Sequence, residues 1–312
     1  MKIALDAMGG DFAPNCTLLG AIQALEDPSL KASIVLVGNK DKIIEESKAL
    51  NISLDGFELV HAEETITMDD HPAKAISQKP HSNINIGYQL LKKGAVQAFC
   101  SAGNTGAMMV GGMFSIKTIE GVIRPGIAGF FPKITGNYGI LLDAGANADC
   151  KADVLDQFAT LGSIYYKYLY KKENPKVGLI SLGEEKSKGT LLTQAAYQLM
   201  HINKKINFVG NIEGSDVFTE KADVMICDGF IGNVTLKMGE SFYEILSKRG
   251  VKDEFLDLFD YQGVGGSPII GLNGNVIIGH GRSSPKAIKN MILLCQQAIT
   301  SEVTQKIKEE LI

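Results

Sequence analysis

Short apolar runs, each followed by a polar or glycine-bearing loop and then by residues at helical spacing, recur along this chain and limit its fold more than any other feature. Lys2–Ala7 precedes a helix predicted from about Pro14, and Ser33–Gly38 precedes one after Asn39; Phe57–His61 and a helix near Asn83–Lys93 then lead to Ala95–Cys100. The rhythm resumes with Tyr138–Asp143, a helix across Asp153–Tyr170, Lys176–Leu182, a helix after Thr190, Ile206–Gly210 and Ala222–Asp228. Strands buried on both faces read as continuous apolar runs, and the helices between them supply crossover connections. The expectation is an α/β fold with three α/β/α layers around a doubly wound, mainly parallel, Rossmann-like sheet. At 312 residues it is expected to form one domain over 1–312, with a helical hairpin excursion at about 238–260.

The segment Ala95–Gly112, AVQAFCSAGNTGAMMVGG, shows the unit most clearly: a buried strand, a turn, then a helix. This order places helix amides and the positive dipole end at the carboxyl edge of a sheet, where α/β folds hold anions. Gly103 and Gly106 allow close backbone approach, while Ser101, Asn104 and Thr105 add side-chain donors. These five are the candidate phosphate-binding residues, although the loop matches neither GxGxxG nor GxxxxGK[ST] and glycine here also serves packing. Further polar loops follow other strands, at Asp6–Asp11, Asp143–Asn147, Gly183–Gly189, Gly210–Gly214 and Asp228–Asn233. Parallel strands bring such loops to one edge, so they are expected to converge.

A formal charge of −4 gives no global attraction to nucleic acid, and no nucleic-acid partner is expected. Cys16, Cys100, Cys150, Cys227 and Cys295 lie far apart without a CxxC pair, which predicts reduced, mostly buried thiols in a cytoplasmic protein. The five histidines lack metal-ligand spacing, so neither a metal nor a cofactor is expected. The chain opens directly on a strand pattern, without a signal-peptide pattern, and no apolar run approaches the roughly 20 residues needed to span a bilayer.

Two helical segments stand apart. After Ser284 and Pro285, the stripe Ile288, Met291, Ile292, Cys295, Ala298 and Ile299 predicts a core helix or a subunit contact. Met238–Phe259 reads as a hairpin broken at Gly250: Met238, Phe242, Ile245 and Leu246 line one face, and Phe255, Leu256, Leu258 and Phe259 fill the second arm. Packing onto the domain and a membrane or partner face are both open readings.

The segments LDAMGGDFAP, SAGNTGA, RPGIAGFFP, LLDAGAN, VGLISLGEEKSKG, FVGNIEGSD, ADVMICDGFIGNVTLK and GHGRSS occur in the order seen in a known family. Nearly end to end, the chain resembles the bacterial phosphate acyltransferases of phospholipid synthesis, the PlsX type, which convert acyl-[acyl carrier protein] and inorganic phosphate to acyl phosphate. The resemblance implies an acylated carrier protein and phosphate as partners, a homodimer, and a cytoplasmic place with peripheral membrane contact. It also implies hand-over to a downstream glycerol-3-phosphate acyltransferase in the membrane. Two segments depart from the family: HPAKAISQKPHSN keeps Lys79 and Ser82 but has Ser77 and Asn83 at other positions, and the stretch between Asn233 and Tyr261 is shorter than in relatives.

Phosphate attack on a thioester needs no protein nucleophile, because a phosphate ionisation lies near about pKa 6 and the departing thiol near about 8.5. The site must instead hold desolvated phosphate and place donors where oxyanion charge develops. The GEEKSKG loop, marked by the resemblance, offers Lys188 as the charge-bearing group with Lys186 as competitor, and Asn233 as a hydrogen-bond donor. Lys79 and His280 are further substrate-binding candidates, His280 serving equally well in a structural turn. The loop carboxylates Asp6, Asp11, Asp143, Glu184, Glu213 and Asp228 repel phosphate and are read as caps and tethers. Basic clusters at Lys167, Lys171, Lys172 and Lys176, and at Lys248, Arg249 and Lys252, are candidate docking surfaces for an acidic carrier. The alternatives are a phosphate acetyltransferase using acyl-CoA and a non-catalytic acyl-carrier or phosphate sensor. A dinucleotide-dependent dehydrogenase is disfavoured by the loop sequence.

Overall fold

The computed structural model describes residues 1–311, which gather into two compact units: residues 1–118 with 261–300, and residues 119–260 with those from 301 onward. One domain over 1–312 is the expectation from length. The crossings at Thr118–Ile119, Asp260–Tyr261 and Thr300–Ser301 carry no glycine-, proline- or serine-rich linker that would mark them in the sequence.

The first unit begins with β1 (Lys2–Asp6), α1 (Asn15–Leu25), β2 (Ser33–Gly38), α2 (Lys40–Ala49), β3 (Phe57–His61), α3 (Pro72–Gln78), α4 (Asn83–Lys92), β4 (Ala98–Ser101) and α5 (Thr105–Ser115). The second comprises β5 (Gly126–Pro132), β6 (Tyr138–Leu142), α6 (Ala152–Tyr170), β7 (Lys176–Ile180), α7 (Leu191–Ile202), β8 (Asn207–Ile212), a 3-10 turn at Gly214–Phe218, β9 (Val224–Ile226), α8 (Gly229–Lys248) and α9 (Glu254–Asp257). The chain then returns to the first unit with α10 (Tyr261–Val264), β10 (Ser267–Ile270), β11 (Asn275–Ile278) and α11 (Pro285–Thr300), and α12 (Val303–Leu311) closes the second.

The first unit's strands lie in the order β3-β2-β1-β4-β11-β10, all parallel except β10, which runs antiparallel to β11. Those of the second lie in the order β5-β6-β9-β7-β8, parallel except for β5. Ile3, Leu5, Ile34, Leu36, Phe99, Leu141, Val177, Leu179 and Val224 are fully buried, as strands covered on both faces require. The α11 stripe is core: Ile288, Met291, Ile292, Cys295 and Ala298 are buried, and a Cβ on Gly20 of α1 would sit 2.5 Å from Ile288. All five thiols are free, with Cys100, Cys227 and Cys295 buried.

The excursion differs from a symmetric hairpin. α8 is one helix from Gly229, ending near Gly250 at φ +78°, and α9 is a single turn. The second arm buries Leu256 and leaves Phe255, Leu258 and Phe259 half-buried, Phe255 and Phe218 each packing on Phe259, whereas Met238, Phe242 and Ile245 of α8 remain more than half exposed. No helix among the described residues is long and apolar enough to cross a membrane.

At the amino edge of the second unit's sheet, Lys133 is fully buried and donates to the Ala222 carbonyl at 2.6 Å and to Asp223 at 3.4 Å. Burial pushes the Asp223 carboxyl up, but Lys172 at 2.8 Å, the Lys176 amide and Lys133 outweigh it and hold the group below its ordinary value. Lys167 pairs with Glu310. The cluster expected to dock an acidic carrier is therefore largely engaged in holding strand starts and a helix together.

Candidate functional site

In the first unit, the loops after β1, β4 and β11 leave the same sheet edge because these strands are parallel. Asp6, the last residue of β1, is buried and accepts from Asn83 Nδ2 at 2.7 and 2.8 Å and from the Ser101 hydroxyl at 2.6 Å. Burial raises its pKa, and the bonds from Ser101, Asn83 and the Met8 and Gly9 amides oppose that rise. Ser101 Oγ in turn accepts from the Gly103 amide at 3.0 Å. Gly9 packs so closely that a Cβ there would lie 2.6 Å from both Asp6 and Ser101. Asp11 donates its amide to the Gly281 carbonyl at 2.8 Å, tying the first loop to the GHGRSS turn.

This network changes the tasks of several candidates. Ser101, read as a ligand donor, has its hydroxyl turned inward on Asp6. Asn104 caps α5 by accepting from the Ala107 amide at 3.0 Å, and its Nδ2 donates to the carbonyls of Thr67, Met68 and Asp70. Lys79 donates to Asp70 at 2.6 Å and to the Thr65 carbonyl at 3.0 Å, which pulls the Asp70 carboxyl below its ordinary range. His280 Nδ1 accepts from the Arg282 amide at 3.1 Å, and its ring lies against Tyr261. For an anion there remain the amides of Thr105 and Gly106 in the first turn of α5, which reach no protein acceptor among the described residues.

In the second unit, β6, β7, β8 and β9 are parallel and deliver four loops to one edge. Asp143, directly after β6 and fully buried, accepts from the amides of Ile127, Gly145, Ala146 and Asn147 and from Asn147 Nδ2, at 2.6 to 3.2 Å. These bonds fold the Asp-Ala-Gly-Ala-Asn loop into a fixed shape. The start of α8 is pressed onto it: the Gly229 amide donates to the Asn147 carbonyl at 2.7 Å, and a Cβ on Gly232 would lie 1.9 Å from the Asp143 carbonyl oxygen. Only glycine fits there. Gly145, at φ +129°, lies beneath the Asn233 amide, whose Nδ2 would be 3.0 Å from a Cβ at that position. Asp228 caps α8 by accepting from the Ile231 amide at 2.8 Å.

The loop after β7 is braced from three sides. Lys221 binds Glu184, Gln194 Nε2 donates to the Ser187 and Gly189 carbonyls, and Asn211 Nδ2 donates to the Glu185 carbonyl. Lys186 and Lys188 are exposed, and neither ammonium has a protein partner among the described residues. Asn83, Asn211 and Gln194 were not among the sequence candidates for the site. Asn211 shares a signal with Asp6 and Asp143, a polar residue closing or directly following an apolar strand run, whereas Gln194 has none. No group of three or more His, Cys, Asp or Glu among the described residues could hold a metal ion.

A family model described as fatty acid synthesis protein matches residues 1–257. A phosphate acyltransferase of Dictyoglomus turgidum is 41% identical over 330 residues, covering 100% of this chain and 98% of that protein. A phosphate acyltransferase of Endomicrobium trichonymphae is 42% identical over 341 residues, with 100% and 98% covered. Among solved structures, a phosphotransacetylase of Streptococcus pyogenes superposes with TM-score 0.66 at 17% identity, covering 96% of this chain and 94% of that one. A 4-hydroxythreonine-4-phosphate dehydrogenase of Klebsiella pneumoniae gives 0.60 at 12%, with 98% of each covered. One fold thus serves both transacylation and dehydrogenation, so the fold alone does not choose between them.

Proposed function

The chain belongs to the fatty acid synthesis protein family and is a phosphate acyltransferase, and from that premise we propose that it moves an acyl group from acyl carrier protein to inorganic phosphate. A phosphate oxygen attacks the thioester carbonyl carbon, a C–O bond forms, and the collapsing intermediate breaks the C–S bond. The products are an acyl phosphate and the carrier thiolate, which takes its proton from solvent. No covalent enzyme intermediate is required.

The observation that carries the reading is the second unit's carboxyl edge, where Lys188 stands on the loop after β7 and Asn233, expected on a loop, stands instead near the start of α8, both held by buried polar residues. Lys188 offsets phosphate or oxyanion charge, with Lys186 beside it in the chain, and Asn233 Nδ2 donates to the developing oxyanion. In the first unit, the Thr105 and Gly106 amides are offered to an anion, with Gly103 and Asn104 shaping the turn. Lys79, Ser101 and His280 act by holding that turn's surroundings.

Exposed Ile231, Val234, Met238, Phe242 and Ile245 form one stripe along α8 that suits a second copy of the chain, consistent with a homodimer. A peripheral membrane position and delivery to a membrane glycerol-3-phosphate acyltransferase belong to the same reading. The test incubates the protein with long-chain acyl carrier protein and phosphate, follows thiol release and traps acyl phosphate with hydroxylamine. Turnover with acetyl-CoA and none with the acylated carrier would replace this reading with a phosphate acetyltransferase. Binding without turnover of either would make the protein a sensor.

A further inference from the structure

We propose that Asn211, assisted by Gln194, is a positioning residue that sets Lys188 for reaction; the inference rests on the reading of Lys188 as the charge-bearing group. Asn211 sits at the carboxyl end of β8, paired in register with Leu179 of β7, and is 4% exposed. Its Nδ2 donates to the Glu185 carbonyl at 3.0 Å, and the Lys188 amide donates to that same oxygen at 3.0 Å. One carbonyl therefore joins a buried strand residue to the backbone of the lysine.

The rest of the turn is fixed with similar economy. Ser181 Oγ donates to the Lys188 carbonyl at 3.4 Å, and Gln194 of α7 holds the carbonyls on either side of it, those of Ser187 at 3.0 Å and Gly189 at 3.1 Å. Gly189 leaves the turn at φ +97° beside Thr193, where no side chain fits. The backbone of Lys188 is held by a strand and a helix while its ammonium reaches no protein acceptor among the described residues. That is the arrangement expected of a group whose partner is a ligand.

A second observation separates Asn211 from an ordinary loop tether. Its Oδ1 is buried and has no hydrogen-bond partner among the described residues. Buried polar atoms are nearly always paired, and an apolar side chain of similar size would fill the position without that penalty. An amide kept under those terms serves the loop above it rather than the packing around it.

The experiment compares Asn211→Leu in wild-type and Lys188→Ala backgrounds, using a long-chain acyl carrier protein with varied inorganic phosphate. In the wild-type background, kcat is expected to fall about tenfold to a hundredfold and KM for phosphate to rise, with thermal midpoint unchanged or higher. In the Lys188→Ala background the same substitution adds no further loss, because the residue it positions is gone. Gln194→Ala, on a surface helix, repeats the pattern at smaller size and decides the matter if Asn211→Leu does not fold. An equal loss in both backgrounds overturns the proposal, as does wild-type turnover of Asn211→Leu while Lys188→Ala is slow. Wild-type turnover of Lys188→Ala instead removes the lysine reading itself, and this inference with it.

Discussion

The two units present the same kind of edge, parallel strands ending in glycine-rich loops, and use it oppositely. In the first, the polar side chains turn inward: Asp6 takes Asn83 and Ser101, Asn104 takes three carbonyls and caps α5, and Lys79 takes Asp70. Backbone amides are what it offers outward. In the second, the inward work falls to Asp143, Asn211, Gln194 and Lys221, which leaves Lys186, Lys188 and Asn233 exposed. An edge made of amides offers an anion fixed partial charges, whereas one that presents an ammonium and a carboxamide adds a full positive charge and a donor on side chains.

The contrast breaks first at the second unit. Lys188→Ala and Asn233→Ala are each expected to lower kcat about a hundredfold to a thousandfold with the thermal midpoint unchanged, by analogy with loss of one oxyanion donor. Wild-type thiol release in both would erase the difference between the edges. In the first unit, Asp6→Ala strands the donors of Asn83 and Ser101 and should lower unfolding free energy by about 1–3 kcal/mol in urea titration. Asn104→Ala removes the cap of α5 and costs about 1 kcal/mol, with turnover reduced far less than in Lys188→Ala.

Acidity sharpens the same comparison because one buried carboxyl in each unit, Asp6 and Asp223, shifts in the opposite direction to the other. Asp6 is raised, so the folded state binds its proton more tightly than the unfolded chain does. Its contribution to stability is therefore greatest at low pH and declines as pH rises above 3.8 through the raised value. Asp223 is lowered, so its contribution is present above 3.8 and lost as pH falls below it. Urea midpoints of Asp6→Asn and Asp223→Asn, each compared with wild type across that range, should diverge with opposite slopes. The smallest effect concerns the end of α8: Lys252→Glu should raise KM for the acylated carrier about threefold at low salt, and added salt should remove the difference.

The parallel strands were legible because burial on two faces leaves continuous apolar runs such as SIVLV and KIAL. β5 and β10 were not: Gly126, Gly129 and Pro132 interrupt the first, and Pro268 stands inside the second; β11 follows β10 after a short turn and has no helix between to set it apart. α3, seven residues behind Pro72, is too short to show a helical period. The site divides along the same line. Glycine loops after strands are local signals, so Gly103–Gly106 and the Lys188 turn could be found. The inward tasks of Ser101 and Asn104 depend on Asp6, Thr67 and Asp70, 34 or more positions away, a distance no local pattern encodes.

The order of strands in the first unit has a consequence for biosynthesis. β11 lies against β4, and α11 packs on α1, yet both are translated only after the whole stretch 119–260. When the ribosome has released residues 1–118, β4 still has an open side and Gly20 still lacks Ile288. The second unit's sheet, by contrast, needs only contiguous chain. The nascent polypeptide is thus set to complete its later-made sheet before its earlier one, with residues 1–118 exposing an unpaired strand until Asn275–Ile278 emerges.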